Sequence, residues 1–251
     1  MIEKVSVITI VKDHEKGLVA TLDSLRSQKH TNWESVIVIG ESSDNTPAIA
    51  NIFEANNSNV VIVNQKSKGI YQAMNEGIEA SSGKYLVFMN AGDIFSNSDS
   101  LSEMLVEITN HNCGIVIGGY RVLGEDKIFS YSDKKISNTQ FAFNLKFGCH
   151  QAMIFSKDAV SSFGGYDYNY KLCADYKLVL QILSTEGGRR INKVLAGVEP
   201  GGVSDRSLAL VHSEKHAIRT SILGYKIWFP SLIWKLIILA NIRIKSLRIK
   251  S

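Results

Sequence analysis

An apolar run at 85–89 stops at Asn90-Ala91-Gly92-Asp93. In an α/β protein the carboxyl end of a buried strand is where ligands bind. Asp93 is therefore placed to hold a hard cation such as Mg2+ or Mn2+, which takes carboxylate, water and phosphate oxygens. The other reading is a turn or helix cap, a common post for Asp. A second acid, Asp175, opens an apolar stretch in Cys173-Ala174-Asp175-Tyr176. A first-turn acid is favoured by the helix dipole, and a well-placed carboxylate can also take a proton from a hydroxyl. Both readings stay open. No GxSxG elbow, no GxxxxGK[ST] loop and no GxGxxG after the first apolar run occurs in the chain, which argues against a serine hydrolase, a P-loop enzyme and a Rossmann dehydrogenase.

The elements that must position these acids follow from the hydrophobic pattern. Val5–Val11 (VSVITIV) is a continuous β-branched run, the mark of a strand buried on both faces. Leu18, Leu22 and Leu25 recur at helical spacing within 15–28. Residues 36–39 form a second strand, followed by the turn-rich loop 40–46, where Asp44 or Thr46 can cap a helix with Pro47 in its first turn. A strand at 60–63, a helix over Ile70–Ala80 and the strand at 85–89 come next. Along that helix Ile70, Met74 and Ile78 make a core stripe. Beyond Asp93 the pattern predicts a helix over 100–110, a hairpin of 115–123 and 127–131 about Gly124-Glu125-Asp126, and a strand at 151–155. A helix from 157 to Gly164-Gly165, one over 174–184, a strand at 191–198 and a flexible loop from Glu199 to Ser204 complete the body. Strands alternating with helices imply βαβ units and a mixed, mostly parallel sheet flanked by helices.

The chain has 251 residues, 45% hydrophobic and 21% charged, the composition of an ordinary globular protein. Three cysteines without CxxC spacing point to a reducing compartment rather than a disulfide framework. The amino terminus enters a strand without a basic and then apolar leader, so no signal peptide is expected. The net charge of +4 is uneven. Residues 206–251 carry nine Lys/Arg against one acid, and 1–205 carry 19 basic and 23 acidic residues. The tail also holds a dense apolar cluster at 227–239, shorter than the roughly 20 residues of a spanning helix. Basic, apolar and Trp-containing together read as a segment lying on an anionic membrane surface. The alternative is a helix packed on the core or at a homodimer interface. The aliphatic density of the tail fits lipid better than nucleic acid. Residues 1–205 are thus expected to be one domain and 206–251 an appendage.

Six stretches fall in one order: VSVITIVKDHEKGL, VIVIGESSDNT, KGIYQAMNEGIEASSGKYLVFMNAGD, GCHQAMIF, CADYKLVLQI and GGVS. Together they resemble family 2 glycosyltransferases of the GT-A fold over roughly residues 4–205, and look similar to the bacterial members that build capsule, exopolysaccharide or O-antigen. The resemblance implies an inverting transferase using a nucleoside-diphosphate sugar, with a UDP-sugar favoured, and a divalent cation. It implies a glycan or lipid-linked acceptor and work at the cytoplasmic face of the cell membrane.

Carried over residue by residue, Asp93 matches the last acid of the family's metal motif, while Asn90 stands for the first acid and Gly92 for the middle one, and Asn90, Ala91 and Gly92 are expected to border the donor nucleotide. Asp175 matches the catalytic base. The donor nucleotide is expected near Thr9, Val11 and Asp13 after the first strand, Glu41 and Asp44 after the second, and Gly69, Ala73 and Asn75 at the following helix. Glu41 substitutes for a family acid that here is displaced by a position or two. His150 and Gln151 match a pair near the acceptor or diphosphate, and Arg206, beyond the GGVS loop, could clasp a diphosphate bidentately. The eroded acid pattern leaves a second reading, a non-catalytic nucleotide-sugar-binding protein that keeps the fold.

Overall fold

The computed structural model describes residues 3–143, 148–201, 207–224 and 233. The strands are β1 (Val5–Val11), β2 (Trp33–Ile39), β3 (Val60–Asn64), β4 (Tyr85–Phe88), β5 (Ile94–Phe95), β6 (Ile115–Val122), β7 (Ile128–Phe129), β8 (Lys134–Ile136), β9 (Met153–Ser156) and β10 (Gly188–Val198). The helices are α1 (Glu15–Arg26), α2 (Thr46–Ala55), α3 (Ile70–Ala80), α4 (Ser100–His111), α5 (Asn138–Phe143), α6 (Lys157–Ser162), α7 (Ala174–Thr185) and α8 (Leu208–Leu223).

One sheet runs β3-β2-β1-β4-β9-β6-β10-β5, with β7 on β6 and β8 on β10. Strands β1 to β4 pair in parallel, as do β6 and β10. Between them β9 is antiparallel to both β4 and β6. The mostly parallel mixed sheet expected from the pattern is therefore present. Every residue of β1 except Ile10, and all of β2 and β4, is buried, which is why these strands read as unbroken apolar runs.

Two buried clusters fill the faces. Leu18, Leu22 and Leu25 of α1, Phe53 of α2 and Met104 of α4 pack with Val5, Val7 and Val87. On the other face α3, α5, α6, α7 and α8 pack with Ile8, Val36, Phe88 and Phe155. Strand alternation assigns neighbouring residues of β1 to opposite clusters.

Several expectations need correction. β2 begins at Trp33, not 36, because two of its residues are polar yet buried. Glu34 is 4% exposed, paired with Lys4 at 2.6 Å and held by Ser6 and Ser82. Burial pulls its pKa up, but these partners outweigh it and leave it at about 2. Of 127–131 only Ile128–Phe129 is strand. β9 starts at Met153 because His150–Ala152 forms one turn of 3-10 helix. β5, β8 and α5 are too short to show a period. Ile70 is 46% exposed, while Met74 and Ile78 are buried, since the stripe starts one turn into the helix. Residues 208–223 form α8, whose Val211 and Ile218 join the same buried cluster as α7. Arg206, the GGVS loop beyond Gly201 and residues 225–251 apart from Ile233 lie outside the described residues.

Candidate active site

The parallel strands of the β1–β4 group all end at one edge, and β9, running the other way, begins there. This brings together the residues after β1 (His14), after β4 (90–93), before β9 (149–151), at the start of α7 (Asp175) and after β10 (Glu199).

The 90–93 turn continues the β1–β4 pairing: the N–H groups of Met89 and Ala91 donate to Ile8 and Ile10. Thr21 of α1 then fastens the turn. Its hydroxyl donates to the Asp93 carbonyl at 2.7 Å and accepts from the Gly92 N–H at 3.0 Å. Gly92 sits at φ 97°, a region L side chains avoid. A Cβ there would also fall 2.4 Å from the Glu199 carboxyl and 2.8 Å from His14 Nε2. The glycine thus leaves room for Glu199, which pairs with His14 at 3.0 Å.

Asp93 is 6% exposed. Gln151 Nε2 donates to its Oδ2, and the Glu199 N–H donates to its Oδ1 at 2.9 Å. Burial raises its pKa to about 6, against the pull of those two donors. Cys149 donates to Gln151 Oε1, and burial with Asp93 nearby pushes that thiol up.

Asp175 lies in the first turn of α7. Its Oδ1 accepts from the Tyr176 N–H at 2.8 Å and faces the Tyr71 hydroxyl at 3.5 Å. Tyr71 stacks on Tyr166, ring centroids 5.6 Å apart, and burial, then Asp175, raises its pKa. The other oxygen, Oδ2, is 4.0 Å from His150 Nδ1. His150 Nε2 is 3.2 Å from the Asn90 amide nitrogen. Burial lowers the His150 pKa, so the ring is neutral near pH 7. Nδ1 is the ring nitrogen on the Asp175 side. Asn90 Oδ1 is buried without a hydrogen-bond partner.

The oxygens here fit a hard divalent cation in kind. Asp93 uses one lone pair on each oxygen and keeps the others. Glu199 presents a half-exposed carboxylate in the gap left by Gly92, and Asn90 Oδ1 is unsatisfied.

The remaining sequence-derived residues divide. Glu41 and Gly69 are exposed near the ends of β2 and β3. Asp13 (φ 48°) accepts from the Ser43 N–H at 2.7 Å, tying the two strand-end loops together. Asp44 is a double cap: its carboxylate accepts from the N–H groups of Glu15 and Thr46, both at 3.0 Å, so it starts α1 and α2. Val11 and Thr9 are buried, and Val11 presents its carbonyl to the Gly40 N–H. Ala73 and Asn75 lie on α3, Ala73 buried and Asn75 partly buried. Ala73 is 3% exposed in the core, and both amide atoms of Asn75 bond the Tyr166 backbone at 2.8 Å.

Sequence reasoning missed Thr21, Tyr71, His14 and Glu199. Glu199 had a usable signal, since it directly follows a strand whose end faces the site. Thr21 and Tyr71 had none, because each acts across a long sequence gap.

Three comparisons bear on this site. The profile of Glycosyl transferase family 2 matches residues 6–164. A PGL/p-HBAD biosynthesis glycosyltransferase of Mycobacterium bovis (strain BCG / Pasteur 1173P2) is 29% identical over 192 residues, covering 75% of this chain and 74% of that protein. The Escherichia coli UDP-Glc:alpha-D-GlcNAc-diphosphoundecaprenol beta-1,3-glucosyltransferase WfgD is 25% identical over 191 residues, covering 75% and 73%. Among solved structures, the mannosyltransferase PcManGT from Pyrobaculum calidifontis, in complex with GDP-Man and Mn2+, superposes with a TM-score of 0.67 at 15% identity, covering 92% of this chain and 68% of that one.

Proposed function

The chain belongs to glycosyltransferase family 2, and from that premise we propose that it is an inverting transferase. It moves a sugar from a nucleoside-diphosphate donor to a hydroxyl of a glycan or lipid-linked acceptor in bacterial surface polysaccharide synthesis. The observation that carries this reading is the bridge at the strand edge. His150 lies between Asn90 of the Asp93 turn (3.2 Å) and Asp175 (4.0 Å), so the two turns that carry the acids meet at one strand edge.

The roles of the two acids follow from their environments. Asp175 Oδ1 is occupied by Tyr176 and Tyr71, and Oδ2 is the oxygen that receives the acceptor proton. The acceptor oxygen attacks the anomeric carbon from the side opposite the diphosphate. The new C–O bond forms as the bond to the diphosphate breaks, and the proton ends on Asp175. An Asp is a weak base at neutral pH, so proton transfer accompanies attack rather than preceding it. His150 Nδ1 lies 4.0 Å from Oδ2 of Asp175. Asp93, Glu199 and Asn90 Oδ1 are the groups that would hold a Mg2+ or Mn2+ ion, which when bound stabilises charge on the diphosphate. The Mn2+ in the name of the mannosyltransferase complex supports the cation. The donor and acceptor named for the Escherichia coli relative support a UDP-sugar and a diphospholipid-linked glycan. Glu41 and Gly69, exposed beyond β2 and β3, are the proposed nucleoside contacts.

A panel of UDP- and GDP-sugars, screened by thermal shift with and without Mn2+, tests the donor. One donor is expected to stabilise the protein by about 2.7 kcal/mol at a hundredfold excess over Kd, and only with the cation. No stabilisation by any nucleotide sugar would remove the donor assignment.

Among the described residues no helix is long and apolar enough to cross a membrane. The proposed location is the inner membrane face, with the basic segment beyond α8 binding anionic lipid. A chain ending at Gly224 is expected to lose sedimentation with anionic vesicles that the full chain shows. Retained sedimentation would remove this role from the segment.

A further inference from the structure

The loop before α7 has a feature that the reaction scheme above does not use. Three successive backbone N–H groups, of Lys171, Leu172 and Cys173, converge on the carboxylate of Glu214 at 2.8, 3.0 and 3.0 Å. Consecutive N–H groups of this kind form an anion-binding nest, and here the anion is a side chain of α8. Hydrogen bonds to a carboxylate are roughly twice as strong as neutral ones. The nest ends two residues before Asp175.

α8 is itself fixed on both sides of Glu214. Val211 is buried, and its carbonyl accepts from the Cys173 thiol at 3.6 Å. Lys215 lies 5.1 Å over the Tyr176 ring. Arg219 donates to the Ala142 carbonyl at 3.2 Å, the same carbonyl that the Tyr176 hydroxyl reaches at 2.8 Å. Glu214 therefore reaches the nest from a rigid base.

We propose that Glu214 is a positioning residue for Asp175. Its carboxylate satisfies the nest and fixes the loop from which α7 springs, so that Asp175 keeps one oxygen for the acceptor. An unfilled nest at a helix N-terminus attracts the nearest anion, and the Asp175 carboxylate is the nearest along the chain. Glu214 removes that competition. The inference rests on Asp175 being the base, and the test separates the two claims.

Glu214→Gln keeps one accepting oxygen and turns the other into a donor facing N–H groups. It is expected to lower kcat about tenfold, with the donor KM changed less than twofold, using the nucleotide sugar selected by thermal shift. In an Asp175→Asn background the same substitution is expected to cost less than twofold. Amide hydrogen exchange should quicken at least tenfold over 171–176 and stay unchanged over 177–185. In Glu214→Ala, added formate is expected to restore kcat at least threefold and to leave the wild type unaffected. An equal loss in both backgrounds, unchanged exchange at 171–173, or no response to formate would overturn the proposal. If Asp175→Asn alone transfers like the wild type, the base assignment fails first and this proposal with it. If Asp175→Asn is inactive and Glu214→Gln behaves as wild type, only this proposal fails. Exchange needs no substrate and decides the structural part even without a donor.

Discussion

Asp175→Asn is expected to cut sugar transfer by about 10²–10⁴-fold, the range for a general base, with the donor Kd unchanged. Asn is close in shape and keeps an oxygen to accept from the Tyr176 N–H and to face the Tyr71 hydroxyl. What it loses is the second acceptor oxygen and the charge, which are the means of taking a proton. A loss in kcat without a change in donor binding marks a group used only in the transition state. Asp175 is partly open to solvent, about 21% for its side chain, so the substitution should leave stability nearly untouched. Steady-state kinetics beside donor calorimetry would check this. Full turnover in Asp175→Asn, or a Kd raised in step with the lost activity, would assign the residue to binding or to helix capping.

Asp93→Asn is expected to have two effects of opposite sign. Cation-dependent donor binding should be lost, and the protein without ligand should become more stable at neutral pH. The second effect follows from burial. Asp93 is 6% exposed, and its pKa is raised from 3.8 to about 6. Between those values the unfolded chain has released the proton and the folded chain has kept it. Folded stability contributed by this group therefore falls as pH rises from about 4 to about 6, by roughly 3 kcal/mol at 1.36 kcal/mol per unit. Asn cannot ionise, so its advantage should appear above about pH 6 and vanish near pH 4. Urea denaturation at pH 4.5 and 7.5 would show the crossover. Unchanged Mn2+-dependent binding in the Asp93→Asn variant would remove the metal role. Equal stabilities at both pH values would show that Asp93 is not strained by its charge.

Legibility in the sequence followed physical cause. β1, β4 and α3 were readable because parallel strands buried on both faces are continuous apolar runs and the helix between them keeps its period. The start of β2 was hidden by Glu34 and Ser35, which are polar yet buried. α8 was hidden because its charges were read with the basic residues beyond it, while its buried face reduces mainly to Val211, Ile218 and Arg219. In the site, Asp93 and Asp175 could be marked in advance because each borders an element end, while Asn90 and His150 followed only from the family resemblance. Asp44 could be marked as polar and strand-terminal, but not distinguished from a cap, since capping two helices depends on where Glu15 lies in space. Thr21, Glu199 and Glu214 act on turns 72, 106 and 41–43 residues away, and no local pattern records such partners.

The antiparallel strand β9 has a consequence for how the molecule is made. It lies between β4 and β6, yet it is synthesised after both. Until residue 156 has emerged from the ribosome, β4 and β6 each present an unpaired apolar edge, and β6 has no link to the β3-β2-β1-β4 group. Exposed edges of this kind seek other strands. The same late arrival carries His150 and Gln151 to the strand ends, and the carboxylate bridge is completed only when α7, synthesised later still, supplies Asp175.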